Sequence, residues 1–522
     1  MGLFDKVKKA LGSKEDEIKN ENTDEITYKS EPVESLNKEI IERPPTSENV
    51  KNFKYLDGLI HTGEKRIALD SDIIISDDEV HEYIEGISID VDDIVIDGNG
   101  YSIDARKETQ IFKITGHNVV LKNLTFKNAA ISGFHFDVTD VNAIENIMSN
   151  NVISGGAAIQ NFGITSIESS KFFGNESHEI AGAIVNAENA SLELKDCEFK
   201  DNQANEFAVI DNFSKLKIED CLFEKNSSTE RGGVMGSAGE LEIINSRFIN
   251  NATGQRGGAI INWGNIKIYD SLFDKNNSNG AGGSIFNQQG SLFVSNSRFE
   301  NNSAKDGAAI FNFDILTVEN SRFVNNTSRN NGGAIFNYEI GKVEIKDCEF
   351  KNNDAFNYGT CIYNKNNMRI VESIFEENNN IKDIIFNQST LELVDLSFSK
   401  NNANSLIMND EGSLATLNGG KALNNSVNKS TIYNLGEFNL NIFTFDNNRS
   451  SSPFSENILN EGQFNLSEVM ILSENDEKTI LNKGILELKE LTESLEETIC
   501  NQGEIKVMHY GTKPHSEKYP PN

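Results

Sequence analysis

GGAIINWGNIKIYDSLFDKNNSNGAGGSIFNQQGSLFVSNSRFENNSAKDGAAIFNFDILTVENSRFVNNTSRNNGGAIFN, residues 257–337, carries one unit three times and begins a fourth. A small residue, Ile, a bulky residue and Asn recur as AIIN ending at Asn262, SIFN at Asn287, AIFN at Asn312 and AIFN at Asn337. Upstream the same signature reads AIQN at Asn161, AIVN at Asn186 and VIDN at Asn212. Downstream it reads CIYN at Asn364, IIFN at Asn387, LIMN at Asn409 and TIYN at Asn434. The steps are 22–27 residues, with one double step of 50 between Asn212 and Asn262 that spans VMGS. A second landmark, FxxN, keeps the same beat from Phe172/Asn175 through Phe299/Asn302 to Phe398/Asn401, with a late copy at Phe445/Asn448. Two landmarks locked to one period mark a repeat array.

Inside each unit the alternation is that of strands. In ELEIINSRFINN, residues 240–251, Leu241, Ile243 and Phe248 are apolar while Glu242 and Arg247 are charged. The same columns hold Leu216/Ile218/Phe223, Ile266/Ile268/Phe273 and Leu316/Val318/Phe323. Period-two alternation over four to six residues marks half-buried strands, and Gly-Gly and Asn-rich corners between them supply left-handed backbone positions. Three short strands per unit, with no helical periodicity, predict an all-β fold: a right-handed parallel β-helix solenoid with three faces and coils of about 25 residues. Between residues 87 and 505 that gives roughly 16–17 coils and, at the spacing of adjacent strands, a rod of roughly 80 Å. Like residues then stack, so Asn262, Asn287, Asn312, Asn337 and Asn364 are expected to form an amide ladder. A β-propeller needs blades of near 40 residues and does not fit.

The chain has 522 residues, too many for one ordinary packed core but natural for an array. Its formal charge of −32 argues against nucleic acid as a partner. The 70 Asn fall at the corners and strand ends rather than in a low-complexity tract. Five Cys at 197, 221, 348, 361 and 500 show no zinc or disulfide spacing, and 197, 221 and 348 take the small inward position that Ser246, Ser271 and Ser297 hold in other coils. No His accompanies them at a fixed offset, so they read as packing residues rather than nucleophiles. The first thirty residues lack the apolar run of a secretory signal and no stretch of some 18 apolar residues occurs, so no transmembrane helix is expected and the default location is the cytoplasm.

The sequence divides into a charged, disordered leader at 1–50, an N-terminal cap with first coils at 51–105 and a regular β-helix at 106–402. Degenerate C-terminal coils follow at 403–507 and a disordered tail at 508–522. Within the leader, Leu3, Phe4, Val7, Ala10 and Leu11 fall at helical spacing beside Lys6, Lys8 and Lys9. A basic amphipathic segment at 3–11 suits peripheral contact with an anionic membrane or a partner.

The paired GGAI (257–260 and 332–335) and FxxN motifs resemble the repeats of bacterial polymorphic outer-membrane proteins. IVIDGNGYSIDA (94–105) followed by NVVLKNLTFKN (118–128) resembles the β-helix adhesin-like proteins of methanogenic archaea. The resemblance covers residues 65–505. It implies a cell-surface adhesin role and a more distant kinship with pectate-lyase-like carbohydrate-active folds.

By alternation, the residue between Ile and Asn of each AIxN strand faces outward. From Phe286 through Phe311, Phe336, Tyr363, Phe386 and Met408 to Tyr433 this column is aromatic or apolar: either a solvent-exposed stripe that suits sugar rings or a protein partner, or, with the register shifted, rings that fill the core or lie beneath residues 1–60. A second column, Asp196, Asp220, Asn245, Asp270, Asn296, Asn320, Asp347, Glu372 and Asp395, reads as turn formers. Its stacked carboxylates Asp196 and Asp220 also offer oxygen ligands for Ca2+, the one metal these residues suggest. Arg247, Arg298 and Arg322 share an outer column and Asp211 stands alone on its face, and each reads as a solvated outer position. Neither makes the convergent constellation that polysaccharide cleavage needs, so no catalytic residue is assigned. The residues support a non-catalytic, adhesin-like binding or scaffold protein that presents a repetitive face to glycans or a protein. The alternatives are a polysaccharide lyase or hydrolase of the pectate-lyase-like class and an intracellular structural element tethered by its N-terminal segment.

Overall fold

The computed structural model describes residues 50–131, 155–451, 456–472, 479–489 and 497–507. The expectations for the leader, its segment 3–11 and the tail 508–522 lie outside these residues.

Each AIxN motif ends in a strand, three residues long in most coils and longer at Asn402–Asn409 and Ser426–Asn434, whose Ile and Asn point inward and whose middle residue points outward. Ile159–Asn161, Ile184–Asn186 and Ile210–Asn212 pair in parallel, each residue directly over its counterpart. The ladder runs from Ile87–Ile89 to Ile499–Asn501 through sixteen pairings that join seventeen strands. A larger sheet holds the two strands that follow in each coil, such as Glu240–Ile244 and Arg247–Ile249. A third sheet of nine short strands precedes the Gly-Gly corner. The fold is therefore an all-β parallel solenoid with three sheets, as the period predicts.

Three left-handed corners turn each regular coil. The Asp/Asn column occupies the first: Asp196, Asp220, Asn245, Asp270, Asn296, Asn320, Asp347, Glu372 and Asp395 all have φ between 45 and 56°. Asx side chains lower the cost of that conformation, which explains why the column is mostly Asp and Asn. The residue before each FxxN asparagine makes the second corner, with Asn250, Asn301 and Asn325 at φ 55–56°. Glycine makes the third: Gly232, Gly257, Gly282, Gly307, Gly332 and Gly359 lie at φ 59–68°. The following glycine answers a different need, since a Cβ on Gly258 or Gly283 would run into a backbone carbonyl oxygen of the next coil.

The interior is built from columns. Ile159, Ile184, Ile210, Ile260, Ile285, Ile310, Ile335, Ile362, Ile385, Ile407 and Ile432 are at most 1 % exposed, with Met235 filling the same place in the VMGS coil. The FxxN phenylalanines stack face to face from Phe126 to Phe398, with centroids 4.6–5.1 Å apart and planes within 4–16° of parallel. That distance is the strand spacing: identical rings one coil apart have little choice but to stack.

Two asparagine ladders close the corners. Asn262, Asn287, Asn312, Asn337 and Asn364 form the expected one, each Nδ2 donating to the next Oδ1 at 2.7–3.0 Å. It continues upstream to Asn161 and downstream to Asn501, with Ser237 standing in once as acceptor for Asn212 at 3.0 Å. The FxxN asparagines make the other. Asn302 Nδ2 donates to Asn326 Oδ1 at 3.0 Å and to the Phe273 carbonyl at 2.9 Å. Its own Oδ1 accepts from the Asn276 amide N–H at 2.9 Å and from Asn276 Nδ2 at 3.1 Å. Each buried amide thus satisfies its neighbour's and the corner's backbone groups.

The first coil is covered by a helix that strand periodicity did not announce, Phe53–Ile60. Asn52 caps its start, its side chain accepting from the Tyr55 N–H at 3.1 Å. Phe53, Leu56 and Ile60, on one face, are fully buried in the same core as the isoleucine column.

Substituting Asn302 by Leu should lower stability by roughly 3 kcal/mol, because two donors of Asn276, the Phe273 carbonyl and Asn326 Oδ1 all lose a partner inside the core. Asn250→Gly, at an exposed left-handed corner, should stay within about 0.5 kcal/mol of wild type. Urea unfolding midpoints of the two variants measure the contrast.

Candidate functional site

The outward residues of the AIxN strands form a second apolar cluster, separate from the core. Ile261, Phe286, Phe311, Phe336, Tyr363, Phe386, Met408, Tyr433, Leu459 and Leu481 belong to it, with Phe207. The sequence places this column correctly on the outer side of the strand. It is not the exposed stripe expected, however: Phe286 is 1 % exposed, and Phe311, Phe336, Tyr363, Phe386 and Tyr433 are 5–8 % exposed. Spacing explains part of this burial, because successive rings lie 4.6–5.4 Å apart and shield one another along the column. Two flanking columns supply the rest.

One flank follows the ladder asparagine. Trp263, Phe313 and Tyr338 are half-buried against the strip, with Phe313 5.3 Å from Phe311 and 4.6 Å from Tyr338. The other flank ends the third-sheet strands, where Glu206, Arg231, Arg256, Ala281, Asp306, Asn331 and Tyr358 align by backbone pairing. Arg256 lies 5.2 Å over the Phe286 ring, and Tyr358 lies 4.6 Å from Phe386. The sequence signals were present: an aromatic residue directly after Asn262, Asn312 and Asn337. Period-two reading stops at the strand end and so passes over them.

Hydroxyl tips are anchored at the downstream end. The Tyr363 hydroxyl donates to Gln388 Oε1 at 2.5 Å, and the Tyr433 hydroxyl to Glu461 Oε2 at 3.0 Å. Lys429 Nζ sits 3.2 Å from the Tyr433 ring centroid, a cation–π contact in which burial holds the ammonium pKa below its ordinary value. Tyr358, 48 % exposed, lies beside Phe386, and Ile340 (54 %), Phe356 (72 %) and Ile381 (66 %) are exposed on the chain segments that flank the strip strands in sequence. The strip is thus a sheltered aromatic floor with exposed apolar residues on the segments that flank it.

Asp211 lies in this floor at 4 % exposure, between Val185 and Gly236. The sequence reading of it as a solvated outer residue is corrected, because the flanks that shelter the aromatic rings shelter it as well. Burial, reinforced by the nearby Glu206 charge, raises its pKa well above the ordinary value, and burial raises that of Glu206 too. Asp196 and Asp220 have other company: Asp196 Oδ2 accepts from Ser169 Oγ at 3.0 Å, and Asp220 Oδ1 from Asn245 Nδ2 at 2.6 Å. Among the described residues no group of three His, Cys, Asp or Glu is arranged to hold a metal. Arg247, Arg298 and Arg322 are exposed, and Arg322 Nε pairs with Glu349 at 3.1 Å.

Cys197, Cys221 and Cys348 are buried, as their column predicts, and Cys361 is buried as well. Contact with Cys197 and burial push the Cys221 thiol up, and burial pushes Cys348 up to about 12. No helix among the described residues is long and apolar enough to cross a membrane.

Two predictions follow from these environments. A carboxyl whose folded pKa is raised stabilises the fold fully below its unfolded value of about 3.9, and that contribution is lost as pH climbs toward the folded pKa. Asp211→Asn should therefore match wild type near pH 4 and exceed it in thermal stability at pH 7–8, with Glu206 and Arg231 unchanged. Iodoacetamide at pH 8 should label Cys500, only partly buried, well before the other four cysteines; peptide mass mapping reads the order.

The right-handed β-helix region family matches residues 83–273, and the chlamydial polymorphic membrane protein repeat matches residues 320–338. No curated protein matches the chain. The second match contains Phe323, Asn326 and the AIFN motif ending at Asn337, so it falls on the columns that build the ladders and the strip. Parallel coils, asparagine ladders and these two matches together show a right-handed parallel β-helix repeat protein, similar in residues 320–338 to the polymorphic membrane protein repeat.

Proposed function

We propose that the protein is a surface adhesin-like binder that holds glycan chains along the aromatic strip. The observation that carries this reading is a floor of closely spaced aromatic rings with the exposed Tyr358 at its edge, 4.6 Å from Phe386, and with Ile340, Phe356 and Ile381 exposed on the flanking segments that make its rim. Large apolar side chains left exposed along the edges of an aromatic floor are the kind of surface a ligand covers. Aromatic faces accept the C–H faces of sugar rings, and the tyrosine hydroxyls and Gln388 beside them supply hydrogen-bonding groups at the edge. A solenoid repeats these features along its axis, which suits an extended, repetitive ligand. The match to the polymorphic membrane protein repeat supports a place at the cell surface. The role is binding: Arg247, Arg298 and Arg322 lie in solvent, away from the strip.

The test uses the intact chain on a printed glycan array. Phe286, Phe311 and Phe336 are too buried for clean substitution, so the variant is Ile340→Ser/Phe356→Ser/Tyr358→Ser, at exposed positions. Expected is a loss of at least tenfold in glycan affinity with an unchanged melting temperature. Equal binding by both proteins sinks the reading.

A further inference from the structure

The coils depart from their own pattern most densely at one level, and the departures converge. Phe207 stands at the glycine corner with φ 55°, a conformation that most coils reserve for Gly and that strains a bulky residue. Its ring covers Gly236, which replaces the bulky outward residue of the next coil; a Cβ there would lie 2.7 Å from that ring. Asp211 replaces the apolar outward residue in the same coil as Phe207. Ser237 replaces the ladder asparagine one coil on. Strain and broken columns at one place are kept where they serve something other than folding.

The side chains there are left with unused hydrogen-bonding capacity. Asp211, 4 % exposed, has no hydrogen-bond partner among the described residues. Arg231 pairs with Glu206 through Nη2 at 2.9 Å, while its Nε–H is buried without a partner. Trp263 meets Phe207 edge to face at 5.7 Å and continues the aromatic surface.

We infer that Asp211, Glu206 and Arg231, beside Phe207 and Trp263, form a discrete subsite for one neutral sugar unit at the upstream end of the strip. This deepens the proposed glycan binding and rests on it. Glu206 links the two, since it pairs with Arg231 and its charge acts on Asp211; the Arg231 Nε–H donor and the Asp211 carboxyl together match a hydroxyl pair, which both donates and accepts. Two arginines, Arg231 and Arg256, pair on adjacent coils of the flank and disfavour a cation, while Asp211 and Glu206 disfavour a uronate. The aromatic edge receives the apolar face of the ring.

The full chain and its Asp211→Leu and Arg231→Met variants are titrated calorimetrically with the strongest neutral oligosaccharide from an array of glucans, mannans, galactans and uronate oligomers. The rim variant Ile340→Ser/Phe356→Ser/Tyr358→Ser is titrated beside them. Expected are a neutral glycan as the strongest hit, at least tenfold weaker binding by Asp211→Leu and by Arg231→Met, and an Asp211→Leu melting temperature no lower than wild type. If both variants bind as wild type while the rim variant is weakened, the subsite is wrong and the strip reading stands. If none of the three is weakened, both are wrong. A uronate oligomer as the strongest hit, or no neutral hit, overturns the subsite alone when the rim variant still loses protein–glycan binding.

Discussion

The structure depends on one constraint: every coil must lie in register on the one before it. Parallel pairing places Cα atoms of neighbouring strands less than about 5 Å apart, so a column of like residues becomes a physical stack. Asparagine suits the corners because its amide carries both donor and acceptor and can pass hydrogen bonds along the axis indefinitely. The chain uses this twice, at Asn262–Asn287–Asn312 and at Asn276–Asn302–Asn326. A slip of one residue would strand the amides of both ladders and turn the isoleucine column outward at once.

The same alternation that builds the core also builds the strip. Ile310 and Asn312 point in, and Phe311 between them points out. Both sides of this strand are therefore apolar, unlike the larger sheet, where outward Glu344, Arg369 and Glu392 make exposed ion pairs at 3.2–3.4 Å. Such pairs contribute little to stability but keep that face wet. The interior phenylalanines stack within 16° of parallel, whereas the outer rings tilt by up to 58°. The inner rings share one enclosed geometry, and the outer ones adapt to flanks that change from coil to coil.

Much of this was legible in the letters. Ile260, Ile285 and Ile310 lie in the core and the asparagines from 262 to 364 touch one another, as the period requires. The corner role of Asp196 and Asp220 was legible as well, since Asx is the side chain that tolerates φ near 50°. Less legible was the helix Phe53–Ile60, which is short and sits outside the array. Least legible was the burial of Phe311, Phe336 and Asp211. Strand alternation says which way a side chain leaves its own sheet and nothing about what stands beside it.

The sequence by itself determined the coil, its columns and its ladders, because those contacts join residues one period apart and a periodic chain can make them only one way. Tertiary structure decided how closely the ends of the third-sheet strands approach the outside of the AIxN strands. That approach depends on the angle at each glycine corner, which no local pattern encodes. It converts an outward aromatic column into a sheltered floor, and it brings Glu206, paired with Arg231, near the carboxyl of Asp211.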